Sequence, residues 1–321
     1  METHMTPFHP FRFGVINEQM LPREQWMAHV RQIEAHGYDI FLIRDHVVDA
    51  FFGEQYGPLV AMATAAAITT RLHVGSMVIC NDFRHPVLLA REAATLAELS
   101  GGRCELGIGA GWLKQEYEQA GLPFERAGSR IERLGEAIAV LRGLWSGQPY
   151  SMAGQFYQID RLHAAPIPRQ PIPILIGGGQ QRMLTMAGAL ADMIGILTTS
   201  VASGTLKDDL SERMPAAVQQ KLDWVRAGAG DAYDRRELGL IPTVVLSDDR
   251  LAATLRLIEQ RGWDLTPEQV WELPSVLIGS VAEICATLIE RRKRYGFSYY
   301  IVSDSAYQPF ADVVERMRQS A

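Results

Sequence analysis

The sequence predicts an α/β protein, a closed (β/α)₈ TIM barrel with insertions. Eight short apolar runs alternate with segments whose apolar residues recur every three or four positions. This alternation is typical of parallel strands that helices connect through right-handed crossovers. Eight such units in 321 residues fit a closed barrel better than the alternative, an open doubly wound sheet. We expect one domain over residues 1–321, with insertions near 146–170 and 198–234.

The predicted strands are short runs rich in Val, Ile and Phe. In chain order they cover residues 11–16, 40–43, 72–80, 104–108, 172–176, 192–197, 238–246 and 299–302. Helices are expected near residues 23–36, 58–69, 86–99, 130–145, 182–191, 249–261, 280–295 and 309–319. Gly37 is a natural residue to follow the first helix, and Pro86 is tolerated in the first turn of the third.

The two insertions differ in composition. Residues 146–170 contain three prolines and Gly154, and Pro171 follows directly, so we expect neither helix nor sheet there. Residues 198–234 are polar and show helical periodicity only in their second half, which is typical of an insertion or a lid.

Composition excludes several classes of partner. The net charge of −6 comes from interspersed acidic and basic residues, so no basic stripe is available for nucleic acid. Three widely spaced cysteines fit neither a disulfide framework nor a metal clip, which predicts a reducing, cytoplasmic location. Neither export nor membrane spanning is expected, because the first residues show no charged head before an apolar stretch and no run of about 18 apolar residues occurs. A homodimer is one open alternative for assembly.

In a barrel of this kind, functional residues follow the carboxyl ends of the strands. Three residues in a row, Gly177, Gly178 and Gly179, occupy such a position before a helix. Backbone amides without side chains can approach the phosphate of a cofactor, and the helix N-terminus adds its dipole. The alternative is a tight turn. Neither this stretch nor "GIGAGW" completes the GxGxxG pattern of dinucleotide-binding sheets.

Asp45 and His46 follow the second strand. The carboxylate can accept a hydrogen bond from a cofactor, and the imidazole can donate or accept a proton near neutrality. Alternatively, the two residues form an ion pair with a structural role. A metal centre is not expected, because His46, His73 and His85 form no HxH pair and no cluster of ligands.

Several stretches resemble the luciferase-like monooxygenase superfamily, particularly its deazaflavin-dependent branch. The similarity covers most of the chain, and its most specific parts are "IRDH", "PILIGGG" and the block "VGSMVICNDFRHPVLLAREAATLAELSGGRCELGIGAGWLKQEYEQAG". The resemblance implies a barrel with a flavin or deazaflavin at its mouth and a non-prolyl cis peptide, here between Met77 and Val78 after Ser76, that supports the cofactor ring.

Carried over to this chain, the resemblance also assigns roles to single residues. Asp45 and Gln115 would contact the cofactor, and Cys80 takes the place of a hydroxyl that binds its ring in relatives. Gly177 to Gly179, Gln180 and Gln181 would hold the phosphate. His46 would stand near the reacting centre as a proton donor.

The expected activity follows from one departure from the family. Trp112 replaces the carboxylate that sugar-phosphate dehydrogenases of this family use as a base, so that reaction is not expected. The resemblance favours hydride transfer between reduced coenzyme F420 and a small, largely apolar organic substrate, with Trp112, Phe83 and Trp263 as walls of its pocket. An FMN-dependent monooxygenase is the first alternative, and a non-catalytic barrel that binds deazaflavin or flavin is the second.

Overall fold

A computed structural model of the chain describes residues 9–319, except residues 51, 203–204 and 208. Its strands are Arg12–Asn17 (β1), Ile40–Ile43 (β2), His73–Ser76 (β3), Ile79–Cys80 (β4), Cys104–Gly109 (β5), Tyr150–Ala153 (β6), Gln158–Leu162 (β7), Ile174–Gly178 (β8), Met193–Ile196 (β9), Ser200–Ala202 (β10), Thr205–Lys207 (β11), Glu237–Leu240 (β12), Thr243–Leu246 (β13), Val276–Gly279 (β14) and Phe297–Ser303 (β15).

The helices follow the strands in the predicted alternation. They are Arg23–Ala35 (α1), Pro58–Ala67 (α2), Pro86–Leu99 (α3), Lys114–Ala120 (α4), Ala127–Trp145 (α5), Gln181–Leu190 (α6), Pro215–Ala229 (α7), Arg250–Arg261 (α8), Pro267–Glu272 (α9), Val281–Tyr295 (α10) and Tyr307–Gln319 (α11). Among the described residues, no helix is long and apolar enough to cross a membrane.

Eight strands of the described chain close a parallel barrel in the order β1, β2, β3, β5, β8, β9, β12 and β15. The last strand returns to the first, where Gly14 pairs with Ile301. On the other side, β3 pairs with β5 through Val74 and Cys104. The predicted (β/α)₈ barrel is therefore confirmed.

The strands have two apolar faces because alternate side chains point to opposite sides. On β2, Ile40 and Leu42 belong to a small apolar cluster whose buried members all come from barrel strands. These two side chains therefore point into the barrel. Phe41 and Ile43 belong to the large cluster that includes the helices. A Cβ at Gly14 would lie 2.8 Å from Cγ2 of Ile40, so the packed interior leaves no room for a side chain there.

Three local predictions were wrong. The predicted strand 72–80 is two strands, β3 and β4, separated by Met77 and Val78. The predicted strand 238–246 divides into β12, which is part of the barrel, and β13, which pairs outside it with β14, a strand that was not predicted. Pro242 lies between β12 and β13, where it ends the first strand because it cannot donate to a ladder.

The insertion at 146–170 also differs from its prediction, because it forms an antiparallel hairpin of β6 and β7. The turn of this hairpin is held by Glu136 of α5. The carboxylate of Glu136 accepts the backbone N–H groups of Gln155, Phe156 and Tyr157 at 2.7, 2.9 and 3.1 Å. The stabilising contact comes from a distant helix, so the local composition could not reveal it.

The amino end of the barrel carries a buried ion cluster. Arg12 begins β1 and donates to Glu105 and, at 2.7 Å, to Glu237, the first residue of β12. His73, the first residue of β3, lies 2.9 Å from Glu105. This cluster is at the opposite end from the residues predicted to be functional, so it contributes to stability rather than to a site.

Candidate active site at the carboxyl ends of the strands

A cavity of about 500 Å³ opens at the carboxyl ends of the barrel strands. That volume lies within the roughly 300–1,000 Å³ of small-molecule sites. Ten of the predicted site residues line it, namely Asp45, His46, Met77, Val78, Cys80, Trp112, Gly177, Gly178, Gly179 and Gln180. The barrel rule therefore brings together residues that are as far apart in the sequence as Asp45 and Gln180.

The structure does not bring the other three predicted residues to this cavity. Ser76 is fully buried in the barrel wall, where its hydroxyl donates to the carbonyl of Gly107 at 2.7 Å. Gln115 and Gln181 are exposed at the beginnings of α4 and α6.

Two predicted walls are also elsewhere. Phe83 packs against Tyr117, with ring centroids 5.6 Å apart, and Trp263 belongs to the apolar cluster around α8, α9 and β14. Trp112, the third predicted wall, does line the cavity, and Phe52 is a further aromatic side chain in its lining.

The floor of the cavity is apolar. Met77 and Val78 form it, together with Ile241, and all three pack on the cluster inside the barrel. The peptide bond between Met77 and Val78 is cis, as predicted. A Cβ at Gly109 would lie 2.7 Å from Cγ2 of Val78, so β5 reaches this floor only because Gly109 has no side chain. The floor suits one face of a planar ring.

Asp45 forms an ion pair with Arg84, and not with the adjacent His46. Oδ2 of Asp45 accepts a hydrogen bond from Nη1 of Arg84, and Oδ1 accepts one from Nη2 at 3.0 Å. Oδ2 also accepts a hydrogen bond from the backbone N–H of Cys80 at 3.0 Å. The Asp45 side chain is only 3% exposed. The carboxylate thus fixes Cys80, the last residue of β4, at the edge of the cavity, and the alternative of an ion pair between Asp45 and His46 is wrong.

His46 is oriented by Glu116, a buried residue of α4. Nδ1 of His46 lies 3.0 Å from Oε1 of Glu116, and the same oxygen accepts the backbone N–H of Val47 at 2.8 Å. A carboxylate only accepts hydrogen bonds, so Nδ1 carries the proton and Nε2 is left for the cavity. The ring of Trp112 lies edge-on at 5.9 Å between centroids. The arrangement presents one titratable nitrogen beside an aromatic wall.

Cys80 presents its sulfur rather than its proton to the cavity. The hydroxyl of Tyr117 donates to Asp82 at 3.0 Å, so its oxygen is left to accept from the thiol of Cys80, 3.4 Å away. Burial raises the pKa of Cys80 to about 12, which keeps the thiol protonated at neutral pH. A ligand beside Cys80 therefore contacts sulfur lone pairs, and not the hydroxyl donor that the resemblance implied at this position.

The far end of the cavity is suited to an anion. Gly177, Gly178 and Gly179 lie there at the beginning of α6, whose N-cap, Gln180, has no side-chain cap. A Cβ at Gly177 would meet nothing closer than a backbone oxygen at 3.9 Å, so this face is open to a ligand. Arg130 lines the same cavity, and among the described residues its hydrogen-bond acceptors are backbone carbonyls, one of them that of Ala110 at 3.3 Å. Its charge and the helix N-terminus both favour phosphate.

Sequence reasoning missed several lining residues. Glu116 lines the cavity, whereas the predicted residue was its neighbour Gln115. The sequence does not show which side of α4 faces the cavity, so it could not distinguish the two. Arg44 belongs to the motif "IRDH", which was a signal for it. Phe52 and Arg213 come from connecting segments without periodicity, so nothing in the sequence marked them.

A closed barrel with an anion-binding loop, a flat apolar floor and an imidazole at its mouth is a barrel built to bind a small molecule. Within that class, the chain belongs to the luciferase-like monooxygenase family, whose model matches residues 3–263.

One relative is the F420-dependent glucose-6-phosphate dehydrogenase of Nakamurella multipartita, 32% identical over 210 residues. The match covers 64% of this chain and 60% of that relative, so it spans less than two thirds of the relative's length. Two solved structures share the fold. An F420-dependent secondary alcohol dehydrogenase in complex with an F420-acetone adduct has a TM-score of 0.76 at 17% identity and covers 97% of this chain and 100% of its own. A riboflavin lyase with modified FMN has a TM-score of 0.76 at 13% identity and covers 97% and 92%.

Proposed function

We propose that this protein transfers a hydride between coenzyme F420 and a small, largely apolar organic substrate. The observation that carries the proposal is one cavity with an anion-binding end, a flat apolar floor and His46 Nε2 at its mouth. A ribityl phosphate and a tricyclic ring require the first two features. Relatives named for the same coenzyme support the choice of deazaflavin over FMN.

The residues present fit the coenzyme at each end. Gly177 to Gly179 and the N-terminus of α6, with Arg130, would hold the phosphate. Met77 and Val78 would support the ring. When bound, the deazaflavin supplies a hydride from a ring carbon, and it does not carry out the oxygen chemistry of a flavin.

The protein's own residues provide orientation and a proton. Glu116 holds Nδ1 of His46, so Nε2 is the atom that exchanges a proton with the substrate. Trp112 and Phe52 add apolar surface to the cavity, which favours an apolar substrate. No lysine lines the cavity in the described part of the chain, which supports a substrate other than a sugar phosphate.

Fluorescence titration of the purified protein with coenzyme F420 and with FMN tests the proposal. We expect tighter binding of F420. Gly177→Leu adds a bulky side chain at the anion end, and its Cβ has no protein atom closer than 3.9 Å, so binding should weaken more than tenfold. His46→Ala is the matched comparison: coenzyme affinity should stay within a few fold, while turnover of a panel of ketones and activated alkenes should fall by about 10²-fold or more.

The outcomes distinguish the alternatives. Tighter binding of FMN, with oxygen consumption during turnover, would favour the flavin-dependent monooxygenase. Binding of reduced F420 without its oxidation by any compound in the panel would favour the non-catalytic barrel. If neither cofactor binds, the proposed function is rejected.

A further inference from the structure

Lys221 is a buried lysine that the proposed function leaves without a role. It lies in α7, inside the inserted segment 198–234, and only 1% of it is exposed. Moving an ammonium group out of water is costly unless its N–H donors and its charge both find partners in the protein. The partners of Lys221 therefore show what this charge does in the fold.

These partners orient the charge of Lys221 towards the interior. Its Nζ donates to the carbonyl oxygen of Leu197 at 2.6 Å and to that of Glu212 at 3.4 Å, and it lies 2.7 Å from Oε2 of Glu212. The side chain of Lys221 is 2% exposed and that of Glu212 is 23% exposed. Water screens the carboxylate more than the ammonium, so the ion pair presents its positive end to the interior.

Leu197 connects this ammonium to the glycine loop at the anion end of the cavity. The N–H of Leu197 donates to the carbonyl of Gly178 at 2.8 Å. A Cβ at Gly179 would lie 3.2 Å from the carbonyl oxygen of Leu197, the same oxygen that binds Lys221. Leu197, Gly178 and Gly179 all line the cavity. One carbonyl group thus separates the ammonium from the glycine loop.

The position of this carbonyl group matters for a bound anion. A Cβ at Gly179 would lie 3.2 Å from the carbonyl oxygen of Leu197 and 3.5 Å from that of Thr199, and the partial negative charges of these oxygens repel a phosphate. The ammonium of Lys221 binds the first oxygen and offsets its charge. Because a peptide group is planar and trans, fixing the carbonyl of Leu197 also fixes the N–H of Thr198, a further lining residue, in the opposite direction. Lys221 therefore acts on the anion end without lining it.

We propose that Lys221 is a positioning residue for the phosphate of coenzyme F420. It holds Leu197 against the glycine loop and places a buried positive charge behind the anion end of the cavity. This inference rests on the proposed function. It gives the inserted segment 198–234 a part in coenzyme binding, through an ion pair whose two members do not line the cavity.

The test compares two probes that differ in one group, the ribityl deazaflavin core of coenzyme F420 with and without its phosphate. Their dissociation constants are measured with the full chain by fluorescence titration, and the ratio of the two constants is the phosphate preference. The wild type should prefer the phosphorylated probe. Lys221→Met should lower this preference about fivefold, as the loss of one buried charge near the phosphate predicts, and should bind the other probe within about twofold of the wild type.

The second member of the ion pair gives the sharper test. Glu212→Gln keeps a side-chain oxygen for Nζ but removes the negative charge, so the phosphate preference should rise about twofold. If the pair only held the fold together, both single variants would lower the preference. The double variant Lys221→Met, Glu212→Gln removes the carboxylate that the first variant leaves unpaired, and it should still show the lowered preference.

Arg291→Met is the matched control. Arg291 is equally buried and also donates to backbone carbonyls, those of Leu273 and, at 2.6 Å, Trp271, which belong to the region around α9 and β14 outside the barrel. Its loss should lower the melting temperature and leave the phosphate preference as in the wild type.

Equal binding of the two probes by the wild type would overturn the inference. An unchanged preference in Lys221→Met, or a preference that does not rise in Glu212→Gln, would do the same. If Lys221→Met does not fold, the direction of the change in Glu212→Gln decides alone. Failure of coenzyme F420 and of both probes to bind would instead reject the proposed function. The two failures are separate, because the probe without phosphate reports binding of the ring alone.

Discussion

Replacement of Asp45 by Asn tests whether this carboxylate holds the mouth of the barrel together or mainly contacts the coenzyme. The change preserves the shape of the side chain but removes its charge. Asp45 accepts three hydrogen bonds, two from Arg84 and one from the backbone of Cys80. In Asn, an NH₂ group replaces one carboxylate oxygen, and this group donates hydrogen bonds but does not accept them. At least one N–H group of Arg84 or Cys80 would then face another donor.

The magnitude follows from the burial of the pair. Removing one partner of a buried ion pair typically costs about 3 to 5 kcal/mol. Asp45 is 3% exposed but the Arg84 side chain is 24% exposed, so Arg84 can recover part of its hydration. We therefore expect a loss of about 2 to 4 kcal/mol in the free energy of unfolding. For a chain of this size, that corresponds to a melting temperature lower by roughly 3 to 6 °C.

Thermal melts followed by circular dichroism measure this effect. The double variant Asp45→Asn, Arg84→Met should recover part of the loss, because it removes the unpaired cation as well. Asp160→Asn is the matched control, since the pair of Asp160 and Arg161 is 89% and 85% exposed and should contribute almost nothing. A variant that melts with the wild type but binds coenzyme F420 more than tenfold more weakly would refute the reasoning and make coenzyme contact the main role of Asp45.

Two further predictions concern the barrel. Arg12→Met leaves Glu105 and Glu237 without a counter-charge, and urea unfolding should show a loss of about 3 kcal/mol. Burial raises the pKa of Glu237, so the folded state keeps that proton to higher pH than the unfolded chain does, and stability falls as pH rises through this window. Unfolding measured from pH 4 upward should show a steeper fall in Arg12→Met, and an unchanged slope would contradict this. Gly107→Ala places a Cβ 1.9 Å from a backbone oxygen of β3, so we expect a loss of at least 3 kcal/mol in thermal melts, whereas Gly57→Ala, with no atom within 4 Å, should be neutral.

The barrel could be predicted because its information is local. Each strand is a short apolar run and each helix has its own period, so the order of elements and the closed barrel follow from the alternation alone. Errors arose where a contact between distant elements decides the local structure. The hairpin of β6 and β7 depends on Glu136 of α5. β13 lies outside the barrel and pairs with β14, although residues 247–275, with α8 and α9, separate the two strands in the sequence.

The site was predictable in position but less so in detail. The barrel rule placed Asp45, His46 and the three glycines at one cavity, although it could not select the partner of each polar group. For Asp45, the sequence suggested His46 or a coenzyme, and the structure gives Arg84. For His46, it offered no orienting group, and the structure gives Glu116. Both partners come from the segment that follows another strand, so only the three-dimensional arrangement of the barrel determines them.

The polar pairs at the mouth share one arrangement: each pair joins two segments that lie at the carboxyl ends of different strands. Ser303 and Glu18 link β15 to β1, and Glu18 and Arg44 link β1 to β2. After β2, Asp45 pairs with Arg84, which follows β4, and His46 pairs with Glu116, which follows β5. This chain of contacts parallels the hydrogen-bonded ladder below it and covers one side of the mouth, while the glycines and Arg130 serve the other. Asp45 and Glu18 use both of their carboxylate oxygens in these pairs, whereas His46 uses Nδ1 and leaves Nε2 for the cavity. The chemistry of the site therefore depends on the atoms that the pairs do not use.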